Sequence, residues 1–177
     1  MSDKTIKVAL AGAGAFGIKH LDGIRNIAGV EVISLIGREL DKTREVAAKY
    51  GVGHVTTELS DALAIAELDA VILCTPTQMH AEQSVACLKA GKHVQVEIPL
   101  ADSLAGAQAV VDLQKQTGLV AMCGHTRRFN PSHQYVHQRI QRGEQIIAHL
   151  GPRQIECQLP AHRRPLAQHP EHDFQRQ

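Results

Sequence analysis

The sequence predicts an α/β fold in which a doubly wound parallel sheet is covered by helices on both faces. Three observations lead to this fold class. Short apolar runs alternate with helical segments along residues 5–124. Runs such as VILC and LVAMC are continuously apolar, which is typical of parallel strands buried on both faces. Three helical segments end at a glycine suited to a left-handed terminus, namely Gly51, Gly91 and Gly118.

The predicted elements follow one another as strand, helix, strand. The strands are 5–11, 30–36, 53–56, 70–74, 93–97 and 120–124. The helices are 15–26, 40–50, a short one after Ser60 as N-cap with Asp61 in its first turn, 79–90, 103–117 with Ser103 as N-cap, and 131–142. This alternation predicts right-handed crossovers between parallel strands.

The overall composition excludes several classes of protein. The 177 residues suit one domain and the start of a second, and 44% of them are apolar, which is enough for an aliphatic core. The formal net charge of +1 argues against a nucleic-acid-binding protein held by bulk charge. We find no secretory signal, no apolar stretch of membrane length and no CxxC motif. We therefore expect a reduced, cytoplasmic protein with no membrane or nucleic-acid partner.

A glycine motif follows the first strand. The stretch ALAGAGAFGIKH has G-x-G-x-x-G spacing and leads into an amphipathic helix. In this context Gly12 makes the tight turn, Gly14 admits a pyrophosphate to the backbone, and Gly17 packs the helix on the strand. Ala15 and Phe16 begin the helix, whose N-terminus attracts anions. The motif predicts a Rossmann-type dinucleotide site rather than a turn without a ligand.

The residues after the second strand favour NADP over NAD. An NAD-dependent enzyme usually has Asp or Glu about 20 residues beyond the glycine loop. This chain has Gly37 and Arg38 there, with Glu39 at the start of the next helix. An arginine can bind a 2′-phosphate through two hydrogen bonds, whereas an acid would repel it. The alternative is that Arg38 is an ordinary exposed arginine.

Three further segments fall at the carboxyl ends of strands, where doubly wound sheets bind ligands. They are CTPTQMH, EIPL and GHTRRFNP, after the fourth, fifth and sixth strands. Thr75, Pro76 and Thr77 form a rigid polar turn that we expect to lie along the cofactor. His80 begins the next helix, where it either contributes to the cofactor site or acts as a capping or packing residue.

Three longer stretches resemble the Gfo/Idh/MocA oxidoreductases. They are GAGAFGIKHLDGI, CTPTQMHAEQSVACLKAGKHVQVEIPLADS and TRRFNPSHQYV, and the resemblance covers about residues 5–144. Within the family, the chain is similar to an NADP-dependent dehydrogenase of protocatechuate 4,5-cleavage that oxidises a cyclic hemiacetal to 2-pyrone-4,6-dicarboxylate. The resemblance implies that hydride passes from the hemiacetal carbon to the nicotinamide while a base accepts the hydroxyl proton.

The resemblance also assigns roles to the segment after the fifth strand. It places Glu97 and Pro99 at the nicotinamide end of the cofactor, with a cis peptide bond before Pro99. Glu97 is in addition a candidate catalytic residue. Most of the family has lysine in an E-K-P motif here, whereas this chain has Ile98, which can neither accept a proton nor donate a hydrogen bond.

The segment after the sixth strand offers candidates for the substrate site. Arg127 and Arg128 are expected to bind the carboxylates of a dicarboxylate substrate, unless at least one is a surface arginine. His125 is the second catalytic candidate because histidine titrates near neutral pH, and it is equally suited to a structural hydrogen bond. His133 and His137 are spaced four apart but have no further ligands in their motif, so no metal is predicted.

These assignments divide the chain into three segments. Residues 1–124 are the predicted dinucleotide-binding domain, and 125–144 are a loop and crossover helix. Residues 145–177 are polar and lack a periodic apolar face, so we expect a disordered tail or an aberrant reading of a longer gene. A natural short variant is the alternative, and translating the coding DNA beyond Glu144 in every frame distinguishes the two.

The resemblance further implies a second α/β domain that covers the substrate and forms homo-oligomers. We expect that domain to be missing here, so that the chain alone binds NADP but turns over poorly or not at all. Two other functions stay open at this point. Ile98 and the missing domain also fit a non-catalytic NADP-binding sensor or scaffold. A sugar or inositol dehydrogenase of the family would share the glycine motif, although a neutral polyol has less use for paired arginines.

Overall fold

The computed structural model of the chain describes residues 4–144. The predictions for residues 145–177 lie outside the described residues. By its contacts the chain divides into two units, Met1–Arg127 and Arg128–Gln177, which are taken separately below.

The first unit contains a parallel sheet. Within the described residues its strands are β1 Ile6–Ala11, β2 Val30–Ile36, β3 His54–Thr56, β4 Ala70–Leu73, β5 His93–Val96 and β6 Ala121–Cys123. Their order is β3-β2-β1-β4-β5-β6, and each neighbouring pair is parallel. The chain changes direction across the sheet between β1 and β4, which is the arrangement of a doubly wound dinucleotide-binding sheet. The predicted Rossmann-type fold is confirmed.

Helices connect the strands of this sheet. They are α1 Ala15–Ile24, α2 Leu40–Tyr50, α3 Leu59–Leu63, α4 Thr77–Lys89 and α5 Leu104–Thr117. A 3-10 helix covers Thr126–Phe129, and α6 Pro131–Gln141 belongs to the second unit. In the part of the chain that the structure describes, no helix is long and apolar enough to cross a membrane.

The start of α3 differs from the prediction. The residue at the N-cap position is Glu58 rather than Ser60, and the helix begins at Leu59. The hydroxyl of Thr56 accepts the Glu58 N–H at 3.0 Å and donates to the Asp61 carboxylate at 2.7 Å. Ser60 instead lies inside the helix, which has no side-chain cap, and Thr56 at the end of β3 holds the turn that leads into it.

The other helix ends agree more closely with the predictions. α4 begins at Thr77, two residues before the predicted start, and Pro76 precedes it with φ of −58°. The Ser103 hydroxyl caps α5 by accepting the Gly106 N–H at 3.1 Å, as predicted. Gly118 ends the same helix with φ of 68°, a conformation that glycine adopts without strain.

The core is aliphatic and forms two clusters. Leu10 belongs to the cluster that includes side chains of α1 and α2, whereas its neighbour Ala11 belongs to the cluster that includes α3, α4 and α5. Successive side chains of a strand point to opposite faces, so the two clusters lie on opposite faces of the sheet. Each fully buried Leu or Val side chain contributes about 1.5–3 kcal/mol to this arrangement.

Candidate functional site

Two glycines of the loop between β1 and α1 are required by contacts within the protein. Gly12 has φ of 105°, and a Cβ there would lie 2.5 Å from the carbonyl oxygen of Cys74. A Cβ on Gly17 would overlap the carbonyl oxygen of Gly12. Both positions hold the helix and the strand ends too close together for any side chain.

Gly14 differs from the other two glycines of the motif. Its φ of −80° is available to any residue, and no heavy atom lies within 4 Å of a Cβ placed there. Nothing within the described chain requires glycine at this position. The open space is where the motif places the pyrophosphate of a dinucleotide, so the loop fits that ligand.

The N-terminus of α1 also fits an anion. Gly14 occupies the N-cap position, and the helix has no side-chain cap. The first backbone N–H groups of this ten-residue helix, from Ala15 and Phe16 onward, therefore carry the partial positive charge of an uncapped helix end. Lys19 adds a formal charge nearby, with Nζ 4.9 Å from the centre of the exposed Phe16 ring.

A cavity of about 1190 Å³ extends from the glycine loop along the carboxyl ends of the strands. The predicted cofactor residues that line it are Gly12, Gly14, Arg38, Thr75 and Pro76. Ala15, Phe16, Gly17, Thr77, His80, Glu97 and Pro99 are not among the lining residues. The structure therefore brings the glycine loop, the end of β2 and the end of β4 into one cavity that is large enough for a nucleotide.

Charged residues at the end of β2 line this cavity. Arg38 is exposed, and the Glu39 carboxylate forms an ion pair with Lys42 at 2.8 Å. The hydrogen bond from Lys42 lowers the pKa of the Glu39 carboxyl, and the charges of Lys42 and Arg38 lower it further. The sequence reasoning missed Lys42, whose position four residues after Arg38 could have indicated it because helix α2 begins between them.

His80 makes its observed contacts within the protein. Its side chain is buried, with 2% of its surface exposed. Nε2 lies 2.7 Å from the carbonyl oxygen of Thr75, and Nδ1 lies 2.7 Å from that of Pro99. Because carbonyl oxygens only accept hydrogen bonds, both ring nitrogens are committed to the protein itself. His80 therefore links the loops after β4 and β5, the packing alternative that the sequence left open.

Glu97 forms a hydrogen-bonded pair with His20. The carboxylate Oε1 lies 2.7 Å from His20 Nε2, and the two side chains are 14% and 25% exposed. The Ile98–Pro99 peptide bond that follows is cis, as expected. The sequence reasoning missed His20, although it lies three residues after Gly17 and thus one helical turn further along α1.

Cys74 completes a small cluster around this pair. Ligand atoms of His20, Cys74 and Glu97 all lie within 4.8 Å of one another. Burial, followed by the charge of Glu97, raises the pKa of the Cys74 thiol to about 12. These three side chains are of the types that bind zinc, but they supply three ligands where a closed structural zinc site has four.

The end of β6 packs against the same carboxylate. A Cβ on Gly124 would lie 3.2 Å from Glu97 Oε1. The next residue, His125, is exposed, and its backbone N–H donates to the Cys123 carbonyl oxygen at 2.8 Å. Arg127 ends the first unit, Arg128 begins the second, and both are exposed. His133 and His137 lie on α6 in the second unit and are also exposed.

The sequence is similar to those of known proteins. Residues 6–125 match the model of the family described as "Oxidoreductase family, NAD-binding Rossmann fold". The chain is 64% identical over 145 residues to 4-carboxy-2-hydroxymuconate-6-semialdehyde dehydrogenase from Sphingobium sp., a match that covers 82% of this chain and 46% of that protein.

Two solved structures have the same fold. Scyllo-inositol dehydrogenase from Lactobacillus casei with bound NAD(H) and scyllo-inositol matches with a TM-score of 0.74 and 27% identity, over 79% of this chain and 42% of that chain. Biliverdin reductase from Synechocystis, in complex with biliverdin and NADP+, matches with a TM-score of 0.72 and 25% identity, over 78% and 43% of the two chains. The chain thus spans about half the length of the relatives that it matches. It belongs to the Gfo/Idh/MocA family of oxidoreductases through an NAD-binding Rossmann fold.

Proposed function

We propose that this chain is the nucleotide-binding part of an NADP-dependent dehydrogenase. The proposed reaction is oxidation of the cyclic hemiacetal of 4-carboxy-2-hydroxymuconate-6-semialdehyde to 2-pyrone-4,6-dicarboxylate in protocatechuate 4,5-cleavage. The 64% identity to the Sphingobium dehydrogenase supports this substrate. The observation that carries the cofactor assignment is a nucleotide-sized cavity with Arg38, rather than an acid, at the end of β2.

The charges at the adenosine end of the cavity favour a 2′-phosphate. Arg38 and Lys42 are two cations in the cavity lining. The carboxylate of Glu39 also lies there, but its ion pair with Lys42 offsets its repulsion of a phosphate. Arg38 is free to form two parallel hydrogen bonds to phosphate oxygens, which lysine cannot do.

The remaining predicted residues act at the other end of the cofactor. We assign Thr75, Pro76 and Thr77, with Glu97 and Pro99, to the side that faces the nicotinamide, which when bound supplies the hydride acceptor. Ile98 has no group that could take a proton, so Glu97 and His125 are the proposed acceptors of the substrate's hydroxyl proton. Arg127 and Arg128 are proposed to bind its carboxylates, and a second domain is proposed to form the homo-oligomer.

An alternative is favoured by the fold comparison. The similarity to scyllo-inositol dehydrogenase supports an inositol or sugar as substrate, at 27% identity. A second alternative is a non-catalytic NADP-binding sensor. It is favoured by Ile98, an exposed apolar residue at the position where most of the family has lysine. Binding of 2-pyrone-4,6-dicarboxylate and of myo-inositol to the chain saturated with NADP+ separates these functions. Tighter binding of inositol would contradict the proposed substrate, whereas cofactor-dependent binding of a partner without turnover would favour the sensor.

The cofactor assignment is tested by titrating the chain with NADPH and NADH while following nicotinamide fluorescence. Arg38→Asp is expected to weaken NADPH binding by roughly tenfold or more, because it replaces a charge-assisted hydrogen bond to phosphate with repulsion, and to leave NADH binding nearly unchanged. Arg25→Asp, an exposed site at the far end of α1, is the matched control. Equal losses for both nucleotides would refute the NADP assignment.

A further inference from the structure

The hydrogen-bonded pair formed by His20 and Glu97 bears on which redox form of the cofactor binds more tightly. We propose that His20 is a positioning residue that holds the Glu97 carboxylate beside the nicotinamide, so that the site binds the oxidised, positively charged ring more tightly than the reduced, neutral ring. This inference rests on the proposed function, because it requires that the cavity holds NADP.

The geometry of the pair supports a fixed carboxylate. His20 extends from α1 and Glu97 follows β5, so the contact joins two elements 77 residues apart in the chain. An ionised carboxylate accepts hydrogen bonds only, so His20 Nε2–H is the donor in the 2.7 Å contact. Both side chains are more than two-thirds buried, which makes the interaction stronger than an ion pair on the surface.

The sheet topology places this carboxylate on the nicotinamide side. A doubly wound sheet binds the halves of a dinucleotide on either side of the point where strand order reverses, here between β1 and β4. Arg38, at the end of β2, marks the adenosine side. The other half of the ligand then extends over β4, β5 and β6. Glu97 follows β5, with Cys74 after β4 and Gly124 after β6 beside it.

The negative charge of the Glu97 carboxylate acts on the side chains around it. Burial raises the pKa of Cys74 to about 12 and also raises that of Cys123, and the negative charge of Glu97 adds to both shifts. The same field stabilises a cationic ring relative to a neutral one. A lysine at position 98 would supply a positive charge next to Glu97, whereas Ile98 supplies none. Removing the carboxylate charge is therefore expected to change the preference between the two redox forms.

The test measures the Kd of NADP+ and of NADPH by isothermal titration calorimetry, together with that of adenosine 2′,5′-bisphosphate, which reports the adenosine half alone. Glu97→Gln and His20→Ala are each expected to lower the preference for NADP+ over NADPH by about fivefold, the size expected for one charge a few ångströms away. His20→Gln keeps an N–H donor and is expected to retain most of the preference. The matched control is Glu31→Gln, an exposed site near the amino end of β2.

Each outcome decides the proposal. Two results would overturn it if bisphosphate binding stays normal. One is an unchanged preference for NADP+ in Glu97→Gln, and the other is an equal loss of affinity for NADP+ and NADPH in His20→Ala. If His20→Ala alone loses bisphosphate binding, it has misfolded, and the nearly isosteric Glu97→Gln decides. If the unmodified chain binds no bisphosphate, the proposed function fails and this inference fails with it.

Discussion

Gly14 and Gly17 belong to one motif but are required for different physical reasons. At Gly17 a side chain would overlap the backbone of Gly12, so the requirement comes from packing in the folded chain. At Gly14 a Cβ would meet open space, so packing within the described chain does not require glycine, and the proposed dinucleotide is the group that would. The sequence motif alone makes no such distinction, because both positions are simply glycine.

Paired substitutions separate these two requirements. Gly17→Ala is expected to lower the free energy of unfolding by about 2–4 kcal/mol, because helix α1 must move away from the strand ends. Gly14→Ala is expected to change it by less than about 0.5 kcal/mol but to weaken NADPH binding by roughly tenfold, because the methyl group occupies ligand space. Urea unfolding and NADPH titration measure the two effects. Unimpaired nucleotide binding by Gly14→Ala would contradict the assigned role of the loop.

Asp69 gives the fold a dependence on pH. Its carboxylate accepts hydrogen bonds from the Lys4 ammonium at 2.7 Å and from the Lys7 backbone N–H at 2.9 Å. The Lys4 contact, followed by the Lys7 N–H, lowers the pKa of Asp69 below its ordinary value. The stabilisation is therefore present above the unfolded pKa of about 3.9 and is lost as the pH falls through the lowered folded value.

Asp69→Asn tests this dependence. The substitution is expected to lower the free energy of unfolding by about 1 kcal/mol at pH 7. The loss is that of a charged hydrogen bond, and it is small because the lysine partner is exposed to solvent. The difference from the unmodified chain should shrink toward zero as the pH falls through the lowered folded pKa of Asp69. Urea unfolding at pH 7 and pH 3 measures it, with the highly exposed Asp41→Asn as control. A difference that persists unchanged at low pH would show that the ionised form of Asp69 does not contribute.

At the scale of elements, His80 joins the loops that follow β4 and β5. Its two ring nitrogens bind the carbonyl oxygens of Thr75 and Pro99 in the protein interior. Those loops carry Thr75, Glu97 and Pro99, all of which are assigned to the cofactor. A histidine buried behind these loops can therefore determine where the proposed cofactor-binding residues lie.

His80→Leu is expected to lower the free energy of unfolding by about 2–4 kcal/mol, because the buried imidazole that lies between the Thr75 and Pro99 carbonyl oxygens is lost. Ser84→Ala is the matched control one turn further along α4. Its hydroxyl is buried and has no hydrogen-bond partner among the described residues, so its removal should cost less than about 0.5 kcal/mol. Urea unfolding measures both variants. Equal effects of the two substitutions would show that the His80 hydrogen bonds are not the cause.

At the scale of the whole molecule, the first unit contains everything that the cofactor cavity needs. The cavity lining lies within residues 12–86, and the buried clusters and the side chains packed against them lie within residues 9–123. A fragment of residues 1–127 is therefore expected to unfold cooperatively and to bind NADPH within about threefold of the whole chain. Circular dichroism and nucleotide titration check this. Loss of cooperative unfolding in the fragment would show that the unit depends on the rest of the chain.

The predicted elements agree with the structure because their signals are local. Apolar runs, Ser103 and Gly118 act through neighbours within a few residues, and periodicity reveals those neighbours. The start of α3 was misplaced because the helix begins without a side-chain cap, and Thr56, at the end of β3, bonds to both Glu58 and Asp61. Arg38 could be assigned to the cofactor site because it lies just after the end of a strand. Lys42 was missed because its place in the cavity lining depends on which face of α2 is turned toward the cavity.

What the sequence determined by itself is the alternating α/β pattern, the doubly wound parallel sheet, and the residues at the carboxyl ends of the strands. Each depends on spacing along the chain. The tertiary structure alone decided that Glu97 meets His20, 77 positions earlier, and that His80 faces inward to two carbonyl groups. Such contacts depend on how the helices pack on the sheet, because side chains distant in sequence meet only after the strands have paired.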